Sequence, residues 1–226
     1  MDTPLASVVW LTLQVAAGGV ALALPFALAC AICLSGPRRV WRVGLDALVH
    51  LPLVLPPVVV GWGLLVVFGT HGPLGAPLAR IGLPLVFTRA GAILATAVMI
   101  LPLITRAIRL SLDGLDPGLL AAARTLGAAP LDAWFCVVLP LASPGILAGA
   151  VIGFAAALGE FGAVITFAAN IPGQTQTLPL AIYTALQDPE GDAVAARLAL
   201  VAAALAVGLL LVAGRLESWL RRRVNG

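Results

Sequence analysis

Long apolar stretches separated by short polar breaks run the length of the chain. Five of them, Val8–Leu34, Ala47–Gly69, Ala90–Ile108, Val137–Leu158 and Ala195–Ala213, are close to the ~20 residues a helix needs to cross a bilayer's hydrocarbon core. In lipid every backbone N–H and C=O must find a partner within the protein, so such stretches are helices. The pattern predicts an all-α polytopic membrane protein with five spans, or six if a broken segment at 159–185 also crosses. The membrane domain covers 5–216 and is followed by an arginine-rich tail, 217–226. The first stretch exceeds the length needed, so it tilts or protrudes. The second holds Pro52, Pro56 and Pro57, which predicts an irregular start or a kink.

The polar break between the third and fourth stretches is built like a small capped helix. Asp116 can cap free amides, Pro117 suits a first helical position, and Gly127 supplies a left-handed stop. The helix runs over about 117–127, and Leu119, Ala122, Ala123 and Leu126 share one flat apolar face. Pro130 can open a second helix that runs into the fourth span. Spacing alone fits either a docking element or an interfacial helix lying on lipid.

A second interruption follows the fourth span. Gly159, Gly162, Pro172, Gly173 and Pro179 punctuate an otherwise apolar segment that starts, on this reading, at the outer end of that span. Non-helical backbone at membrane depth persists only against protein or a water-filled cavity. The segment is therefore either a packed outer loop or a gate for an anion. Glu160, Phe161, Thr166, Asn170, Thr175 and Thr177 are the candidate residues of that gate, with the threonine hydroxyls and freed amides as transient donors. A carboxylate in the path of an anion would repel it, so Glu160 is expected to pair with an arginine, Arg89 or one on a partner subunit. Gly145, Gly149 and Gly153 leave one face of the fourth span nearly bare, for packing within the subunit or for a subunit or pore contact.

Composition agrees with this picture: 61% of the 226 residues are hydrophobic and 10% are charged, and the mean hydropathy is +1.08. A net charge of +3 without a basic, aromatic-interleaved patch excludes a nucleic-acid partner. All thirteen basic residues are arginine. Ten of them (Arg38, Arg39, Arg42, Arg106, Arg109, Arg124, Arg215, Arg221, Arg222 and Arg223) follow odd-numbered spans, whereas Arg80, Arg89 and Arg197 fall on the other side. The positive-inside rule then places the N-terminus outside the cytoplasmic membrane, and the C-terminus and the 117–127 helix in the cytoplasm. Cys30 and Cys33 have a CxxC spacing inside an uncharged run and read as packing residues; Cys136 stands alone. The first stretch is long and lacks a basic leader, so no cleavable signal is expected. His50 and His71 lack a liganding neighbour at a suitable spacing, so no metal site is expected. There is no phosphate-cradling loop and no catalytic set.

Ala122, Ala123, Gly127, Val137, Leu139 and Pro140 fall on a spacing that resembles the cytoplasmic signature of ABC importer permeases: Glu-Ala-Ala, three residues, Gly, nine residues, an aliphatic, one residue, Leu-Pro. Ala121 stands where that signature has its glutamate. The run Leu51–Gly61, with its double proline, resembles permeases of molybdate importers, as do Gly159–Phe167 and Asn170–Tyr183; the similarity covers roughly residues 5 to 215. The resemblance implies a type I importer permease domain and an ATPase-coupling role for Ala122, Ala123, Arg124, Thr125, Leu126 and Gly127. It further implies a homodimer of permeases, two ABC ATPase subunits and an extracytoplasmic molybdate-binding protein. On this reading the chain is not an enzyme and binds no cofactor; ATP is used by the partner subunit. Sulfate, thiosulfate and tungstate permeases of the same fold are the near alternatives. An ion-coupled secondary transporter or channel is the distant one, and it would need ionisable residues within the spans that are almost absent here.

Overall fold

The computed structural model describes residues 5–36 and 39–224. Arg38 and the last two residues of the tail lie outside the described residues, as do the side chains of 216–224. Among the described residues four helices are long and apolar enough to cross a membrane: α1 (Leu5–Leu34), α5 (Arg89–Asp113), the stretch Leu131–Leu158 and the apolar part of α11 (Asp192–Val224). Between the first two lie α2 (Val40–Val54), α3 (Pro57–Phe68) and the short α4 (Gly75–Arg80). After α5 come α6 (Pro117–Thr125) and α7 (Pro130–Ala133), then a π-helical turn at Trp134–Val138 that leads into α8 (Leu139–Leu158). Two short helices, α9 (Gly162–Ala168) and α10 (Leu178–Leu186), precede α11.

The second predicted span is not one helix. It is the pair α2–α3, bent by 117° at Leu55–Pro56. Pro56 and Pro57 cannot donate to the preceding turn, and a residue before proline is driven out of the helical region. Leu55 accordingly has φ −75° and ψ 143°. Pro57 then occupies the first position of α3, where a missing amide hydrogen costs nothing.

Helix α5 is the axis of the structure. Helix α1 runs parallel to it, since Arg89 meets Gln14 and Thr96 meets Gly19. A chain whose first and third crossings are parallel must return between them, and α2–α3 makes that return. Helix α8 runs antiparallel to α5. Gly145 abuts Ser111, Gly149 abuts Ile104 and Ala107, and Gly153 abuts Ile100 and Ile104. The bare glycine face is thus used inside the subunit, and the backbone of α8 sits against α5 as two helices can only where one lacks side chains. The core follows this axis: Ala16, Ala23, Ala27 and Ala31 of α1 share a cluster with Ile100, Ile104 and Ile108 of α5, and with Ala142 and Ala157 of α8.

A Cβ on Gly145 would overlap the Cβ of Ser111, whereas one on Gly208 of α11 meets no atom within 4 Å. Gly145→Ala is expected to destabilise the full-length protein by about 1–3 kcal/mol through overpacking. Gly208→Ala should be neutral or mildly stabilising. Thermal midpoints of the detergent-solubilised chain check both.

Candidate functional site

Two regions carry the chemistry, a capped surface helix at the arginine-rich end and a pair of adjacent helix breaks. The surface helix is α6. The Asp116 carboxylate accepts from the Gly118 amide at 2.8 Å, and Pro117 opens the helix. At its other end Gly127 has φ +93°. The Gly127 amide donates to Arg124 O and the Ala128 amide to Ala123 O, each at 3.1 Å. Those two bonds are the Schellman closure, which needs a left-handed residue and hence favours glycine.

Among its described side chains α6 has none buried. Leu126 is 89% exposed and Leu119 is 42% exposed. Ala121, Ala122, Arg124 and Thr125 are also exposed, and Ala123 is half-buried. The Thr125 hydroxyl folds back on Ala122 O at 2.8 Å, which leaves the alanine face free of polar groups. The predicted apolar face therefore exists and its own chain leaves it uncovered. Helix α6 is seated on α7 and on the π turn. In that turn the Leu139 amide reaches back five residues to Trp134 O. Pro140 cannot donate, so the ladder is already broken there. Pro144 likewise leaves Pro140 O without its usual amide partner, and the Ser143 hydroxyl donates to it at 2.7 Å. The Leu-Pro pair thus marks the irregular turn on which α6 rests. Pro140 was a signal of a break, but the π geometry and the Ser143 bond are not legible from spacing.

The second region is the junction of α8 and α9. Gly153 lies against Ile100 and Ile104, while Phe167 lies against Gly91. The break at Gly159–Phe161 lies between these two contacts in the chain. The segment begins, as expected, at the end of the fourth span, where α8 stops at Leu158, and α9 packs on α5 beyond it. Neither α9 nor α10 is long enough to cross by itself, so 159–185 adds no single-helix sixth span.

Helix α3 lies beside α9, and both start at breaks. A Cβ on Gly162 would lie 2.6 Å from the Pro57 side chain, and one on Gly61 2.7 Å from Thr166. Glu160 makes no ion pair with Arg89, one of the two partners expected for it. Arg89 donates to Gln14 Oε1 at 3.0 Å, while Glu160 Oε1 accepts from the Ala163 amide at 2.9 Å. The carboxylate caps the first turn of α9, where otherwise unpaired amides favour an acceptor.

The other candidate residues brace the segment. The Thr166 hydroxyl donates to Gly162 O, and the Phe161 ring lies 5.2 Å from that of Tyr183. Asn170 Nδ2 donates to the Thr184 hydroxyl at 2.7 Å. Thr175 Oγ1 accepts from the Ile171 amide and donates to Ala169 O. Thr177 is buried, and its hydroxyl has no hydrogen-bond partner. Thr166 and Thr175 therefore spend their protons on the backbone. Thr12, which sequence reasoning did not single out, ties α10 to α1: its hydroxyl accepts from the Leu178 amide at 2.8 Å and donates to Val8 O at 2.7 Å.

Residues 23–226 match the family of the binding-protein-dependent transport system inner membrane component. The chain belongs to this family. It is 48% identical over 215 residues to the molybdenum transport system permease protein ModB of Escherichia coli K12, covering 95% of this chain and 92% of that protein. It is 45% identical over 220 residues to ModB of Haemophilus influenzae, covering 97% and 94%. The sulfate transport system permease protein CysT of Salmonella typhimurium is 38% identical over 201 residues, covering 89% and 72%. Among solved structures, a bacterial ABC transporter involved in alginate import superposes with a TM-score of 0.75 at 18% identity, covering 100% of this chain and 82% of that one. The MetNI methionine ABC transporter, in inward-facing conformations, gives 0.74 at 18%, covering 96% and 98%. These likenesses establish the ABC importer permease fold, and the family description establishes a multi-pass inner-membrane subunit of a transport system.

For this permease the Glu160 cap has a direct test. Glu160→Gln keeps the acceptor, so its thermal midpoint should match that of the parent. Glu160→Ala loses it and should cost about 0.5–2 kcal/mol. Equal midpoints for both variants would reject the capping role.

Proposed function

We propose that this chain is the permease subunit of an ATP-driven importer that carries molybdate across the cytoplasmic membrane. The observation that carries the coupling role is α6, a helix capped at both ends whose apolar face its own chain leaves uncovered. Two such chains form the pathway, and each offers Ala122, Ala123, Arg124, Thr125, Leu126 and Gly127 to an ABC ATPase subunit. The arginine distribution supports a cytoplasmic location for α6 and the C-terminus, with the N-terminus outside. ATP is bound and hydrolysed by the partner; the permease supplies no catalytic residue and no cofactor. An extracytoplasmic protein delivers the anion. The permease domain spans 5–216.

The packing gives the motion a route. ATP favours the closed ATPase pair through its tighter binding to that state. Closure displaces α6, which is seated on the π turn at the head of α8. Helix α8 is held to α5 by backbone contact, so it moves as a rod and delivers the displacement to its far end at Glu160. There the starts of α3 and α9 meet, and a small relative shift opens or closes the path. Glu160 and Phe161 fix the break, and Thr166, Asn170, Thr175 and Thr177 hold the segment beyond it. The start of α3 offers its positive dipole end to a passing dianion without a fixed cation that would trap it.

The molybdate reading draws on relatives named for molybdenum transport that align over nearly the whole chain. The sulfate permease relative supports a second reading, a sulfate or tungstate permease of the same fold. Uptake by the complete complex with its cognate binding protein distinguishes them. Labelled molybdate should enter, tungstate should compete, and a large excess of sulfate should not. Efficient competition by sulfate would overturn the molybdate assignment. For coupling, Gly127→Val forces a β-branched residue into a left-handed position, and Ala122→Trp fills the flat face. Each should lower uptake at least tenfold, while the purified ATPase subunit keeps its hydrolysis. Normal uptake in both variants would refute docking at α6.

A further inference from the structure

A cavity of about 270 Å³ opens between α2 and α5 at the arginine-rich end, lined by Asp46, His50, Arg106 and Arg109. Its charges are unevenly matched. Arg109 is held by two carboxylates, Asp46 at 3.0 Å and Asp113 at 3.4 Å. His50 Nδ1 lies 2.9 Å from Asp46 O and 3.3 Å from its carboxylate. Arg106 lies one turn before Arg109 on the same face, is exposed, and makes no ion pair or hydrogen bond among the described residues. Two guanidinium groups at this spacing repel, and only one of them has a counter-charge. The cavity therefore lacks an anion on the Arg106 side. A guanidinium fork matches the paired oxygens of a phosphate or carboxylate.

The surroundings indicate what carries that oxyanion. Val43, three residues before Asp46, is 60% exposed, and Leu110, four residues after Arg106, is 77% exposed. Leu53, three residues after His50, is 45% exposed. The polar cavity is thus bordered by apolar side chains that face outward, an arrangement suited to a charged head with acyl chains and less suited to a free ion. Basic pockets between helices at the arginine-rich leaflet are a recurrent setting for anionic headgroups. We propose that this cavity binds the phosphate of an anionic phospholipid headgroup, with Arg106 as its principal contact and Arg109, oriented by Asp46 and Asp113, as the second donor. The bound lipid would tether α2, the arm before the Leu55–Pro56 break, to α5. The proposal does not depend on which anion the permease transports.

Native mass spectrometry of the full-length protein, purified with phosphatidylglycerol and phosphatidylcholine in equal amounts, tests it. The parent protein should retain phosphatidylglycerol preferentially. Arg106→Gln should lower that retention at least fivefold, Arg106→Lys should restore part of it, and Arg80→Gln, at the opposite end, should leave it unchanged. Unchanged retention in Arg106→Gln overturns the proposal. A parallel titration of delipidated protein with inorganic phosphate separates the two sources. If phosphate raises the thermal midpoint of the parent but not of Arg106→Gln, and no lipid preference exists, the oxyanion site stands and the lipid assignment falls.

Discussion

In a bilayer a broken helix survives only where protein or a water-filled cavity satisfies and covers its exposed backbone. This permease breaks two helices and sets the breaks side by side. Prolines 56 and 57 end one ladder, and the turn at Gly159–Phe161 ends the other. Each break is tolerable because the other packs against it. Gly162 lets α9 approach Pro57, Gly61 lets α3 approach Ala163 and Thr166, and Glu160 brings its own acceptor to the first turn of α9. A side chain at either glycine would force the pair apart and leave polar backbone facing lipid, at a cost of several kcal/mol per unsatisfied group.

That constraint explains the arrangement of the remaining helices. The broken pair needs a rigid wall, and α5 provides it, with α1 parallel on one side and the glycine face of α8 antiparallel on another. Phe167 is fully buried, and its ring lies edge-on to Phe68 at 6.4 Å. The short helices are thus locked at their outer ends and interrupted at their inner ones. At the opposite end the chain is looser. Helix α6 buries none of its described side chains, and its seat is a π turn in which the Leu139 amide reaches back to Trp134 O. Rigid packing lies along the axis and uncovered surface lies at its arginine-rich end, which is the distribution required if a partner's movement is to be conducted inward without being absorbed.

Glu160 illustrates how function and structure share one residue here. A carboxylate at this position suggested an ion pair or a gate charge. It caps the first turn of α9, and of the threonines that looked like anion donors Thr166 and Thr175 are engaged with the backbone, while the buried Thr177 hydroxyl has no partner among the described residues. The path proposed for the anion is therefore lined by groups whose first task is to hold an irregular backbone in place. A passage built this way offers weak contacts, as suits a permease that must release its cargo quickly.

Much of this was written in one dimension. The run lengths fixed the helical class. The prolines at 56 and 57 marked a break, and Asp116, Pro117 and Gly127 delimited α6 almost to the residue, because capping and left-handed stops are local chemistry. The arginine asymmetry divided the loops between two sides for the same local reason: each loop votes on its own charge. Tertiary contact decided what depends on two segments at once. The sequence carried no signal that the Gly159 break lies against the Pro56–Pro57 break, because that juxtaposition is set by how α3 and α9 pack. It did not show that Arg89 meets Gln14 instead of Glu160, or that Arg109 is held by two carboxylates while Arg106 has none. Local propensity is additive along the chain; partnership is a property of distance in space, and only packing supplies it.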